Sequence, residues 1–179
     1  MSLIAPLDPP YAPDLKSSFD KVMRGAEPLM LFRVVARSGR AWKKLEAASL
    51  LDRGPLPLRQ REIVIDRTCA LTRCEYEWGV HVKLFAAAAK LTDEQVRATV
   101  IAGASVPCWT PAEVALIRAV DALHARATLE DEDFRELAHH FDDAQILEIM
   151  MLCGQYRTIA YLARGLHIPL EPDTPRFPN

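Results

Sequence analysis

The sequence has little of what would place it outside a reducing compartment or against a charged polymer. Four cysteines (Cys69, Cys74, Cys108 and Cys153) in 179 residues are too few for a disulfide framework. The formal net charge is −2, so no basic excess points to nucleic acid or an anionic membrane surface as a partner. No apolar run approaches the ~20 residues of a membrane span, and LFAAAA falls far short of it. The opening residues, MSLIAPLDPPYAP, lack both the basic and the apolar region of a secretory leader. Internal repeats, low-complexity tracts and strand-like alternation are also missing. A cytoplasmic setting is the expectation.

What is present suits one helical domain. Half of the residues are hydrophobic, enough for a single sizeable core. Of the 13 prolines, Pro6, Pro9, Pro10 and Pro13 sit at the start, and Pro169, Pro172, Pro175 and Pro178 sit at the end. Proline fixes φ and removes a backbone donor, so residues 1–13 and 169–179 read as extended arms. Residues 14–168 between them read as a single all-α domain of eight or so helices.

The helix signals are local. LMLFRVVA and AWKKLEAASLL carry apolar residues at three- and four-residue spacing. A turn follows at Asp52-Arg53-Gly54-Pro55, and LRQREIVIDRTCAL begins after Pro57. Thr92 with Gln95 and Thr110 with Glu113 read as capping boxes, the second with proline at the first helical position. DDAQ at 142 opens a last long helix that Gly165 should end.

Chemistry concentrates in CEYEWGVH, residues 74–81. On a helix, Cys74, Glu77 and His81 share one stripe, and the set admits a redox, acid–base, metal or purely structural reading. The preceding helix should falter at Thr72-Arg73, so Cys74 opens the next one, where the helix dipole favours a thiolate. Cys69 should point elsewhere, about 140° from Cys74 on an unbroken helix. If the two helices fold back on each other, Glu62 reaches His81 and orients it, which is the minimum kit for moving protons. Trp78 lies beside them as a candidate pocket wall, although an aromatic at that spacing also suits a core. Zinc could use Cys74, Glu77, His81 and Glu62, but HExxH and CxxC are both missing, so a metal-free site is expected.

The spacing Glu–x11–Cys–x2–Cys–x3–His is the motif of the alkylhydroperoxidase D and carboxymuconolactone decarboxylase superfamily. The chain resembles that motif through Glu62, Cys74, Glu77 and His81, flanked by RQREIVIDRTCAL and HVKLFAAAAKLTDEQV. EVALIRAVDALH and LEIMMLCGQYRTIAYLARGLHIPLE are similar to the second half of a longer subgroup. Through that likeness, Tyr156 and His124 become candidate pocket residues.

The resemblance implies a cofactor-free helical enzyme that works as a homo-oligomer, a dimer or a multiple of one. One position departs from the motif. Glu77 stands where peroxidase members place the attacking cysteine, and a carboxylate can neither form a sulfenic acid nor close a disulfide. Non-redox acid–base chemistry on a small organic acid or lactone, like that of the decarboxylase branch, is therefore the leading expectation. A thiol peroxidase using Cys74 alone is the second, and a catalytically silent helical oligomer that binds a small molecule is the third. The proline-rich arms are expected to strap across a neighbouring subunit.

Overall fold

A computed structural model describes residues 2–179. Among these the chain is helix and loop: α1 (Pro13–Met23), α2 (Met30–Val35), α3 (Gly39–Ala47), α4 (Leu58–Leu71), α5 (Glu75–Phe85), α6 (Asp93–Val100), α7 (Pro111–Arg126), α8 (Asp131–Ala138) and α9 (Asp143–Gly165). A 3-10 turn, Gly103–Ser105, separates α6 from α7. The all-α expectation holds, with Pro13 as the first residue of α1 rather than the last of an arm. No helix among the described residues is long and apolar enough to cross a membrane.

Local chemistry sets the helix starts. Thr92 Oγ1 accepts from Gln95 N at 3.2 Å while Thr92 N donates to Gln95 Oε1 at 3.2 Å. Thr110 with Glu113 and Asp142 with Gln145 make the same reciprocal pair. Each satisfies two backbone donors that a helix start leaves without partners. One end differs from expectation. α9 runs through Gly165, and His167, at φ 54°, takes the left-handed position. The bonds His167 N to Arg164 O and Ile168 N to Ala163 O close the helix, with the left-handed residue two positions after Gly165.

α4 is the central element, packed against α5, α6, α7 and α9. Ile63, Val64 and Ile65 are all fully buried, as only a helix covered on every side allows. Arg61, Glu62, Asp66 and Thr68 on the same helix are consequently buried as well. Their polar atoms have to find partners inside the protein or bear the cost of desolvation.

Both arms make contacts with the body of their own chain. Leu7 N donates to Arg33 O at 3.1 Å, Arg33 Nε donates back to Leu7 O at 2.8 Å, and Leu3 N donates to Leu166 O at 2.8 Å. Residues 169–179 cross the outer face of α5. Phe177 packs on Trp78 with ring centroids 5.3 Å apart, and Phe177 N donates to Glu75 Oε1 at 2.9 Å. A Cβ at Gly79 would stand 2.6 Å from Pro175 O, so glycine is what lets the arm close on the helix.

Candidate active site

The site begins where α4 breaks. Arg73 adopts φ 56°, Arg73 N donates to Ala70 O at 3.0 Å, and Cys74 N donates to Cys69 O at 2.7 Å. These two bonds form a Schellman motif, which sets the side chains of its first and last residues against each other. Here those residues are Cys69 and Cys74, both fully buried. The sequence reading that sent Cys69 away from Cys74 assumed an unbroken helix; the left-handed residue reverses the chain and brings the two thiols to the same side.

Cys74 caps α5 as expected, but its thiol is not activated. Burial pushes its pKa up to about 11, a rise to which the Glu77 charge adds, while the Glu77 backbone N–H and the Arg164 charge pull the other way without prevailing. Desolvation of the thiolate outweighs the helix terminus here. Cys69 is raised well above the ordinary range by burial, and then by the charges of Cys74, Glu77, Asp66 and Glu62.

α4, α5 and α9 bring four polar side chains onto one imidazole or its neighbours. His81 Nδ1 lies 2.7 Å from Glu62 Oε2, and its Nε2 lies 3.0 Å from the Tyr156 hydroxyl and 3.5 Å from Glu77 Oε1. Arg61 Nε donates to the other oxygen of Glu62 at 3.2 Å. Burial disfavours a charged ring at His81, but the hydrogen bonds and charges of Glu62 and Glu77 outweigh it and push the pKa up to about 10. At neutral pH both ring nitrogens therefore carry protons. Nδ1–H donates to Glu62 and Nε2–H to the Tyr156 oxygen, which frees the tyrosine proton for another acceptor.

Asp66, which the sequence reading passed over, belongs to the same cluster. It lies one helical turn beyond Glu62, is 1% exposed, and neither carboxyl oxygen has a partner. Burial raises its pKa well above the usual carboxyl range, the His81 charge lowering it and Glu62 raising it further. A carboxyl four residues after Glu62, inside the apolar run IVID, was the available signal.

A cavity of about 80 Å³ opens onto this cluster. Phe32, Trp42, Leu45, Leu50, Leu51 and Ile159 give it apolar walls, Glu77 and Tyr156 lie at its His81 end, and Glu46, Ser49 and Gln155 also line it. Glu77 is 6% exposed and its Oε2 is unpartnered. The loop after α3 closes one side, tied down by Arg61 to Asp52 O at 3.3 Å and by Leu56 N to Glu148 Oε2 at 3.0 Å. A Cβ at Gly54 would stand 2.5 Å from Glu148 Oε1, so the glycine gives that carboxylate room against the loop.

The remaining candidates lie elsewhere. Trp78 is a core residue that donates from Nε1 to Thr99 Oγ1 at 3.0 Å. His124 lies on α7 among Arg157, Leu123 and Thr68, away from the cavity that Glu77 lines. Among the described residues no group of three or more His, Cys, Asp and Glu side chains is arranged to hold a metal ion.

The chain superposes on a peroxidase-related protein of Silicibacter sp. TM1040 with TM-score 0.83 and 14% identity, over 96% of this chain and 93% of that one. A peroxidase-related protein with an alkylhydroperoxidase AhpD core, from Ralstonia eutropha JMP134, gives TM-score 0.82 and 16% identity over 95% and 94%. The debrominase Bmp8 in complex with 2,3,4-tribromopyrrole gives TM-score 0.80 and 15% identity over 96% and 93%. At these identities the likeness is one of fold. No curated protein matches the sequence. The family model of the carboxymuconolactone decarboxylase family matches residues 36–122, the stretch that holds Glu62, Cys74, Glu77 and His81. Residues 36–122 thus resemble the carboxymuconolactone decarboxylase family, and the helical framework around them has the fold of the alkylhydroperoxidase-type structures.

Proposed function

We propose that the chain is an acid–base enzyme acting on a small organic acid or lactone, in the manner of a carboxymuconolactone decarboxylase. One observation carries this reading: Glu77, with an unpartnered carboxylate oxygen, and Tyr156 both line a mainly apolar cavity, and both stand against a buried His81 whose pKa is pushed up to about 10. Glu62 orients His81 through Nδ1 and stabilises its charge. Cys74 shapes the wall behind Glu77 and takes no part in electron transfer.

In such a site the substrate's hydrocarbon body sits against Phe32, Trp42 and Leu45, where water is excluded. Loss of CO₂ from its carboxylate leaves an electron pair that flows into the unsaturated lactone as an enolate. The hydroxyl of Tyr156, whose oxygen accepts from His81 Nε2–H, donates to the enolate oxygen. The reaction consumes one proton at carbon, supplied by His81 and passed through Glu77, 3.5 Å from Nε2.

Thiol peroxidase chemistry at Cys74 is the weaker reading, because the thiol is buried and pushed up to about 11. It is kept in view by the peroxidase-related names of the structural relatives. A panel of unsaturated lactone carboxylic acids, assayed for CO₂ release, tests the proposal. Turnover that falls ~10²–10⁴-fold in Glu77→Gln and Tyr156→Phe supports it. Turnover undiminished in both variants sinks it, as does activity found only with hydroperoxide and a thiol reductant.

A further inference from the structure

His124 and three arginines that the His81 cavity does not use meet on a different face of α9. Arg73, Arg157 and Arg164 line a basin of about 620 Å³ together with His124 and Tyr161. Among the described residues none of the three guanidiniums pairs with a carboxylate. Neutral acceptors hold two of them in place. Arg157 donates to Tyr161 Oη at 3.0 Å and to His124 O at 3.4 Å, and Arg164 donates to Thr72 O at 3.2 Å.

No acidic side chain answers these three charges across the basin. The chain has 24 acidic side chains against 22 basic ones, so it does not lack carboxylates to pair with arginines. Gathering three unpaired positive charges around one basin is repulsive. Arg73 also occupies the left-handed position of the α4 end, where glycine is the usual residue and a side chain is strained. A strained residue that places a charge at a basin rim is a reason to look for a ligand.

The basin does not end at the arginines. Beyond His124 and Arg157 it continues into a slot of about 180 Å³, walled by Val120, Leu123, Met150 and Cys153. The slot is lined mainly by apolar side chains. The pair fits a molecule with a charged head and a short hydrocarbon tail.

We propose that this basin binds a small organic anion whose head is a polyvalent oxyanion, fixed by Arg73, Arg157 and Arg164, with its apolar tail in the adjoining slot. The guanidinium fork matches phosphate and paired carboxylates alike, so the head is defined by charge and geometry. The site is independent of the acid–base reading, because none of its arginines lines the cavity at Glu77.

Inorganic pyrophosphate and citrate, titrated into the full chain at constant ionic strength with sodium chloride as the control, test the proposal. A saturable rise in Tm is expected with at least one of them, accompanied by a downfield shift of the His124 ring protons in NMR. Response to pyrophosphate alone assigns a phosphate-type head, and response to citrate alone assigns paired carboxylates. Arg157→Gln and Arg164→Gln should each weaken binding tenfold or more, whereas Arg118→Gln, an exposed control on α7, should not.

Arg73→Gly is the sharpest variant. Glycine relieves the left-handed strain, so the free chain should melt at a higher temperature while binding falls at least tenfold. A rise no larger than that in chloride, or one retained in the Arg157→Gln and Arg164→Gln variants, overturns the proposal.

Discussion

Glu62 Oε2 stands 2.7 Å from His81 Nδ1, and the two side chains, 1% and 3% exposed, join α4 to α5 inside the core. Everything at the cavity depends on this bond, because it keeps the ring charged and fixes which way Nε2–H points. Removing the carboxylate charge should cost more than removing a surface ion pair, since it leaves a buried cation uncompensated.

Glu62→Gln and His81→Gln should therefore lower turnover on a verified substrate by ~10²–10⁴-fold. The helical circular dichroism of each variant should stay that of the parent at 25 °C. Near-parental turnover in both would remove His81 from the mechanism.

The stability of the chain should fall in alkali through His81. Its folded pKa, about 10, lies above the unfolded value of ~6.5. A raised pKa of this kind contributes stability that is complete below pH ~6.5 and is lost as pH climbs through about 10. Urea unfolding at pH 6, 8 and 10 should show the decline in the parent and a flatter profile in His81→Gln. Parallel profiles would mean that the ring is not held charged.

Asp66 works against the fold at neutral pH. Its folded pKa is also raised, so its contribution is intact only below the unfolded value of ~3.9 and becomes a cost as pH rises above it. Asp66→Asn should stabilise the chain at pH 7 by on the order of 1–3 kcal/mol. The gain should shrink to nothing near pH 3. A variant destabilised at pH 7 would show that the ionised carboxylate has a partner.

The thiols should be sluggish. With Cys74 pushed up to about 11, iodoacetamide at pH 7 should alkylate it roughly 10²-fold more slowly than free cysteine. Glu77→Cys would rebuild the two-cysteine spacing, and a disulfide to Cys74 should then form under oxidant. Rapid alkylation of Cys74 itself, or robust peroxidase turnover by the unmodified chain, would contradict the acid–base reading.

Assembly is expected through the first half of α9. Leu147 and Met151 lie four residues apart on that helix and are 62% and 58% exposed, an apolar face with no cover on its own chain. We propose that a second copy covers it in a symmetric homo-oligomer, a dimer or a multiple of one. The Leu147→Glu, Met151→Glu double variant should sediment as a single chain with its helix content unchanged. A parent that already sediments at 20.1 kDa at micromolar concentration would rule the proposal out.

What neighbours along the chain can settle was legible in the residues alone. Pro57, the pairs Thr92–Gln95 and Thr110–Glu113, and the break at Thr72-Arg73 fix helix ends, because the groups that satisfy each end lie within a few residues of it. The spacing of Glu62, Glu77 and His81 was legible through the motif it resembles, once α4 and α5 were taken to fold back on each other. Tertiary structure decided the rest. Whether Cys74 is a thiolate, whether His81 is charged and whether Asp66 keeps its proton depend on how completely α5, α6, α7 and α9 exclude water from α4. Desolvation is a property of the surroundings in three dimensions, and no residue carries it in its own name. His124 shows the same limit: the family likeness placed it in the pocket, and the packing of α7 against α9 placed it beside Arg157 instead.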